Sequence, residues 1–116
     1  MKAVIIAGSR TFDDYDLMEK YCNLMLEDWN PLAIICGMAR GADLLGRRWA
    51  ISKGIPVLEM PADWKSSPRR AGFIRNEAMR DIADAALVFW NGHSSGSAHM
   101  IRIMREAGKS VVVVNF

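Results

Sequence analysis

The chain has 116 residues, 51% of them hydrophobic, and Lys+Arg at 15 against Asp+Glu at 13 leave a net charge of only +2. That length predicts one domain over 1–116 with a real buried core, and the near-balanced charge excludes a strong polyanion field, so nucleic acid is permitted without being demanded. No apolar run approaches the roughly 20 residues that span a bilayer, and a start that enters a strand directly predicts a cytoplasmic protein without a leader or a membrane partner.

In chain order, the run Val4-Ile5-Ile6-Ala7 predicts a strand over 3–7 that ends in Gly8-Ser9-Arg10. Asp13 or Asp14 then caps a helix over 14–28. Ala33-Ile34-Ile35-Cys36 predicts a strand over 33–37, followed by Gly37-Met38-Ala39-Arg40-Gly41-Ala42-Asp43 and a helix over 42–53 closed by Gly54. Pro56 opens a strand over 56–60, and the irregular Pro61-Ala62-Asp63-Trp64-Lys65-Ser66-Ser67-Pro68 precedes a helix over 69–84. Ala86-Leu87-Val88-Phe89-Trp90 predicts a strand over 86–90, Asn91-Gly92-His93-Ser94-Ser95-Gly96-Ser97 leads into a helix over 97–107 closed by Gly108, and a strand over 111–115 ends the chain. Short, continuously apolar strands joined by helical crossovers are the pattern of an α/β domain of three layers, with a mostly parallel five-stranded sheet covered on both faces. Cys22 and Cys36 have neither CxxC spacing nor a Cys/His cluster, which predicts reduced core thiols and no metal. The eight methionines fill helical faces and call for no cofactor.

The loops that follow parallel strands gather on one edge of such a sheet, where backbone N–H groups and helix N-termini hold phosphates. Gly8 turns the chain, and Ser9 and Arg10 offer a hydroxyl and a forked guanidinium, or simply a turn and a solvated arginine. Gly37 and Gly41 bracket a turn into a helix, but Asp43 in its first turn repels a phosphate there; the carboxylate suits a ribose hydroxyl or structural capping. The segment from Asn91 to Ser97 is the best anion loop: Gly92, Gly96, Ser94, Ser95 and Ser97 supply flexible backbone and neutral donors with no competing carboxylate. His93 in that loop is a candidate ligand contact, whereas His99 shares a polar helix side with Arg102 and Glu106 and reads as solvated.

On the helix over 69–84, Ala71, Ile74, Ala78, Met79, Ile82 and Ala85 form an apolar arc that contains Arg75. A charge there requires a buried carboxylate partner or a bound anion in the crevice. Arg69, Arg70 and Arg80 fall outside the arc and read as solvated. Asn76 lies off it and reaches a ligand only if the helix start is itself part of the site. Trp64 either stacks on a base or packs its loop down, and Asp63 either accepts from a base or ribose or starts an Asx turn.

Gly8-Ser9-Arg10, the Gly37-to-Asp43 segment, Pro61-Ala62-Asp63-Trp64, Arg75-Asn76 and Gly92-to-Ser97, in that order over nearly the whole chain, resemble the SLOG superfamily of Rossmann-like domains, and within it the small YspA-like group of bacteria and phages. The Gly-Met-Ala-Arg-Gly-x-Asp stretch and the later Arg-Asn are similar to the DprA family of single-stranded-DNA-binding proteins, and the resemblance adds Arg40 and Asn76 to the candidate site. The Lonely-guy-type phosphoribohydrolases carry a Pro-Gly-Gly-x-Gly-Thr-x-x-Glu turn. Here Asn91-Gly92-His93 replaces its start, and Gly96-Ser97-Ala98-His99-Met100-Ile101 holds no carboxylate. An oxocarbenium-like transition state needs such a group, so Asp43, Asp63 or Glu77 would have to substitute, and no catalytic residue is assigned. The expected partner is a nucleotide or ADP-ribose-like small molecule, sensed or sequestered. N-glycosidic hydrolysis and single-stranded DNA binding are the alternatives, and a homo-oligomer is compatible with the sequence.

Overall fold

The computed structural model describes residues 1–116. Nine elements alternate along the chain: β1 (Ala3–Gly8), α1 (Tyr15–Trp29), β2 (Ala33–Cys36), α2 (Ala42–Ser52), β3 (Val57–Glu59), α3 (Ala71–Ile82), β4 (Ala85–Trp90), α4 (Ser95–Glu106) and β5 (Ser110–Asn115). The sheet order is β3-β2-β1-β4-β5, and every pairing is parallel. The expected mostly parallel sheet is therefore wholly parallel, because each crossover is a helix. β1 lies at the centre, and the order reverses direction on its two sides, which opens a crevice at the carboxyl ends of β1 and β4.

Strand alternation sorts the core into two layers. Val4, Ile6, Ile34, Leu87 and Phe89 face α1 and α2 and meet Met18, Cys22, Ala42 and Trp49, while Ile5, Ala7, Ile35, Ala86 and Val88 face α3 and α4 and meet Met79, Met100 and Met104. Gly46 lets α2 sit directly on β1, since a Cβ there would come 2.9 Å from the Cβ of Ile6. Asp14 caps α1 by accepting the Leu17 N–H at 3.0 Å. Cys22 and Cys36 are buried free thiols, and burial pushes them up to about 12 and about 11, which leaves them protonated and inert.

Helix α3 departs from its sequence pattern. It starts at Ala71 rather than 69 because Ser67–Arg70 form a turn, and it stops at Ile82 because Ala83 is extended and the Asp84 N–H bonds to Ala3 of β1. Its inward side carries Asn76, Met79 and Ala83, while Ile74, Ala78 and Ile82 of the expected apolar arc face out, Ile74 and Ile82 each about half exposed. Packing against α4 decides this rotation. Asn76 turned inward satisfies its whole amide on α4 and on Arg75, so burying it costs little, and the arc's aliphatics end outside.

Candidate functional site

Two adjoining cavities occupy the carboxyl edge of the sheet. The larger, about 480 Å³, is walled by Gly8, Arg10, Thr11, Asp43, Trp64, Arg69, Phe73, Arg75, Asn76, Asn91 and Ser94–Ser97, among others. The smaller, about 390 Å³, is walled by Gly37, Met38, Ala39, Arg40, Pro61 and Ala62 and shares Arg10, Trp64 and Arg75 with the first.

The loop after β1 is pinned by Phe12, whose buried ring packs 4.7 Å from Phe89 and 4.8 Å from Phe116, so Arg10 and Thr11 are turned outward. Ser9 is buried and lines neither cavity. Its Oγ accepts the Asn91 N–H at 3.1 Å and lies 2.8 Å from Ser94 Oγ, and Ser94 in turn donates to Ser97 at 3.0 Å. Since the single Ser94 proton goes to Ser97, Ser9 must donate to Ser94. The relay ends on the hydroxyl of Ser97, only 6% exposed in the cavity wall, whose own proton goes to no protein acceptor. The N–H groups of Ser95, Gly96 and Ser97 at the start of α4 likewise have no acceptor, while the Ser94 carbonyl takes the Ala98 N–H and the Trp90 indole N–H at 3.1 Å. Asn91 shapes this turn by accepting the N–H groups of His93 and Ser94. Gly92 and His93 are exposed and lie outside both cavities.

The α2 end is built differently. Gly41, at φ 82°, sits so close to the preceding loop that a Cβ would stand 2.5 Å from the Ser9 carbonyl oxygen, and that carbonyl accepts the Ala42 N–H. The first donor of α2 is thus taken by protein. Asp43, 5% exposed, accepts the Ala39 N–H at 3.2 Å and forms the floor of the larger cavity. Burial pushes its carboxyl up to about 6, against the pull of Arg75 and the Ala39 N–H. No carboxylate lies within 4.0 Å of Arg75. Its Nη1 donates to the Gly37 carbonyl and its Nε to Asn76 Oδ1 at 3.1 Å, while Gly37 is small enough to let both this guanidinium and Asp43 crowd against it. Burial holds the Arg75 pKa below its ordinary value, with Asp43 opposing.

Because an arginine only donates, Oδ1 of Asn76 must face Arg75, so its Nδ2 faces the Gly96 carbonyl at 3.1 Å and His99 Nδ1 at 3.2 Å. His99 therefore accepts through Nδ1 and carries its proton on Nε2. The expectation of a solvated His99 is corrected: the ring packs 4.4 Å from Phe73 in the α3–α4 seam, and burial holds its pKa below the usual histidine value. Helical periodicity alone did not register it, since α3 covers His99 while Arg102 and Glu106 on the same side of α4 stay exposed. Trp64, 47% exposed, lies against Gly72, with the Arg10 guanidinium 5.8 Å from its ring centre. Asp63 is exposed and accepts the N–H of Ser66, three residues on, at 3.2 Å, a local turn bond one residue longer than an Asx turn, outside both cavities.

The structure thus brings Gly8, Arg10, Asp43, Trp64, Arg75, Asn76, Ser94, Ser95, Gly96 and Ser97 together, sets Gly37 and Arg40 beside them, and leaves Ser9, Gly41, Asp63 and Gly92 as supports or outside. Thr11 and Phe73 enter unannounced, Arg69, expected to be solvated, lines the larger cavity, and Asn91 was marked only as the first residue of the anion loop. Arg47, Arg80 and Arg102 pair with carboxylates elsewhere, whereas Arg10, Arg40, Arg69 and Arg75 around the crevice do not.

Comparison with known proteins agrees with this architecture. A model of the YspA, cpYpsA-related SLOG family matches residues 2–66. The Gene 61 protein of Mycobacterium phage D29 is 34% identical, with 100% of this chain and 97% of that protein aligned. DNA processing protein A (DprA) of Streptococcus pneumoniae superposes with a TM-score of 0.75 at 17% identity over 97% of this chain, which spans about half, 49%, of the DprA chain. That last likeness is one of fold. The family match over more than half of the chain and the full-length phage relative carry the assignment: this protein belongs to the YspA, cpYpsA-related SLOG family.

Proposed function

We propose that the chain, as one domain over 1–116, binds a nucleotide or nucleotide-derived anion in this crevice and serves as a sensor or sequestering module. One observation carries the reading: the spare donors of Ser95, Gly96 and Ser97 open into the same cavity as Arg10, Arg69 and Arg75, none of which has an ion-pair partner. A phosphate there takes N–H and hydroxyl donors from α4 and a forked guanidinium from Arg75 or Arg10. Trp64 at the rim offers a face to a base, and Asp43 and Asn76 offer polar contacts to a sugar. The test is a mass-spectrometric inventory of small molecules released on denaturing the purified protein, joined to thermal shifts with nucleoside monophosphates and ADP-ribose. A retained nucleotide, or a raised melting temperature, is the expected result. The absence of both overturns the reading.

A second reading is N-glycosidic hydrolysis, favoured by the buried Asp43, whose carboxyl near 6 suits a general acid. Free base released from a nucleotide at a rate that vanishes in Asp43→Asn supports it. The four unpaired arginines and the fold shared with DNA processing protein A favour single-stranded DNA as a third, recognised by a steep fall of affinity with salt.

A further inference from the structure

We propose that the crevice has a second anion subsite, on the Arg40 side of Trp64, and that its ligand is a nucleoside carrying phosphate at both its 5′ and its 3′ position. The inference rests on the nucleotide reading above and deepens it. The smaller cavity adjoins the larger, shares Arg10, Trp64 and Arg75 with it, and adds Arg40. No carboxylate lines it, in contrast to the Asp43 floor of its neighbour. Three guanidiniums therefore line it with no ion pair within 4.0 Å, and the Arg75 pKa, lowered chiefly by burial and raised by Asp43, is lowered further by repulsion from Arg10. An anion between them removes that repulsion and gains charge-assisted hydrogen bonds.

The backbone of this loop is partly committed, with the N–H groups of Met38 and Ala39 engaged and those of Gly37, Arg40 and Gly41 without an acceptor. Met38 sits at φ 65°, an uncommon conformation for a residue with a side chain, and its N–H goes to Cys36 Sγ at 3.3 Å while the Ala39 N–H goes to Asp43. Recognition in this cavity is led by three arginine side chains, with the N–H groups of Gly37 and Arg40 beside them, whereas at α4 it falls to backbone N–H and serine hydroxyls. Two anion sites of different construction flank one aromatic ring. A 5′-diphosphate puts both phosphates on the same side of its nucleoside. A 3′,5′-bisphosphate separates them by the sugar, from which the base projects to one side, where Trp64, a wall common to both cavities, offers it a face. The same unit occurs free in solution and as each internal nucleotide of a single strand.

Calorimetric titration of the full chain with the 5′-monophosphates of the four common nucleosides, their 5′-diphosphates, their 3′,5′-bisphosphates and a ten-residue oligothymidylate tests this. We expect a bisphosphate to bind about tenfold tighter than the corresponding monophosphate and diphosphate, the worth of a charge-assisted contact. In Arg40→Gln, an exposed position where folding is not at stake, that ratio falls toward one. Tighter binding of the oligomer than of any free bisphosphate assigns the unit to a strand, and the reverse assigns it to a small molecule. Monophosphate binding with no gain for the bisphosphate overturns the second subsite and leaves the nucleotide reading standing. Binding of none of the probes overturns both.

Discussion

Asp43→Asn removes the one carboxylate in the walls of the crevice, and its effect on stability reverses the usual expectation for deleting a charge. Burial raises this carboxyl from 3.8 to about 6, with Arg75 and the Ala39 N–H recovering only part of the loss. The folded protein thus keeps a proton that the unfolded chain releases. A raised folded pKa means that the group's contribution is fully present below about pH 4 and is lost as the pH rises through 6. Two pH units at about 1.4 kcal/mol each make the ionised side chain cost about 3 kcal/mol at pH 8. Asparagine keeps the shape, still accepts the Ala39 N–H through its carbonyl, and cannot ionise. Urea unfolding of both proteins at half-unit steps from about pH 4 to pH 8 should show near-equal stability at the acid end, with the variant ahead by up to about 3 kcal/mol at the alkaline end. A difference that stays flat with pH, or a variant that falls behind as pH rises, would refute the reasoning, because Asp43 would then be a well-compensated ion.

Gly37→Ala drives a methyl within 2.8 Å of both Arg75 Cζ and Asp43 Oδ2, the one held by its bonds to Gly37 and Asn76 and the other by burial, so thermal unfolding should shift by about 1–3 kcal/mol while calorimetric nucleotide affinity falls at least several-fold. Gly96 has open space where a Cβ would go, so Gly96→Ala should stabilise by about 0.5–1 kcal/mol through helix propensity, whereas Gly96→Leu should cover the α4 donors and weaken binding without unfolding the protein. Asp84 accepts the Lys2 and Ala3 N–H groups at 2.8 and 3.1 Å, bonds that hold its pKa below the usual carboxylate value. Its contribution is present above the unfolded pKa and is lost as the pH falls through the folded one, so Asp84→Asn should cost about 1 kcal/mol at neutral pH and progressively less on acidification, read by chemical denaturation. Asp14→Ala should lower stability by about 0.5–2 kcal/mol through loss of the α1 cap, with nucleotide affinity unchanged.

Fold class, element order and the edge that carries the crevice were legible in the sequence because they rest on local signals. Continuous apolar runs such as Val4–Ala7 and Ala86–Trp90 bury both faces of a strand, helical crossovers make the pairing parallel, and parallel strands deliver all their following loops to one edge. That the Asn91–Ser97 turn leaves N–H groups free at a helix start was readable for the same reason, whereas the hydroxyl relay through Ser94 and Ser97 was not.

Orientation across elements was decided only by tertiary packing. The apolar arc of α3 gave no sign that Ile74 and Ile82 face outward, because periodicity records which side chains are cheap to bury and not which neighbour a helix meets. Once α3 lies on α4, the amide of Asn76 finds the Gly96 carbonyl, His99 and Arg75 together, and these bonds let a polar side chain lie inward at little cost. Ser9 looked like a ligand contact in the sequence and is instead consumed by residues more than 80 positions away, at Asn91 and Ser94. A hydroxyl or a guanidinium can be recognised in a sequence, but whether a partner within the chain already satisfies it depends on contacts that form only when distant loops share one edge of the sheet.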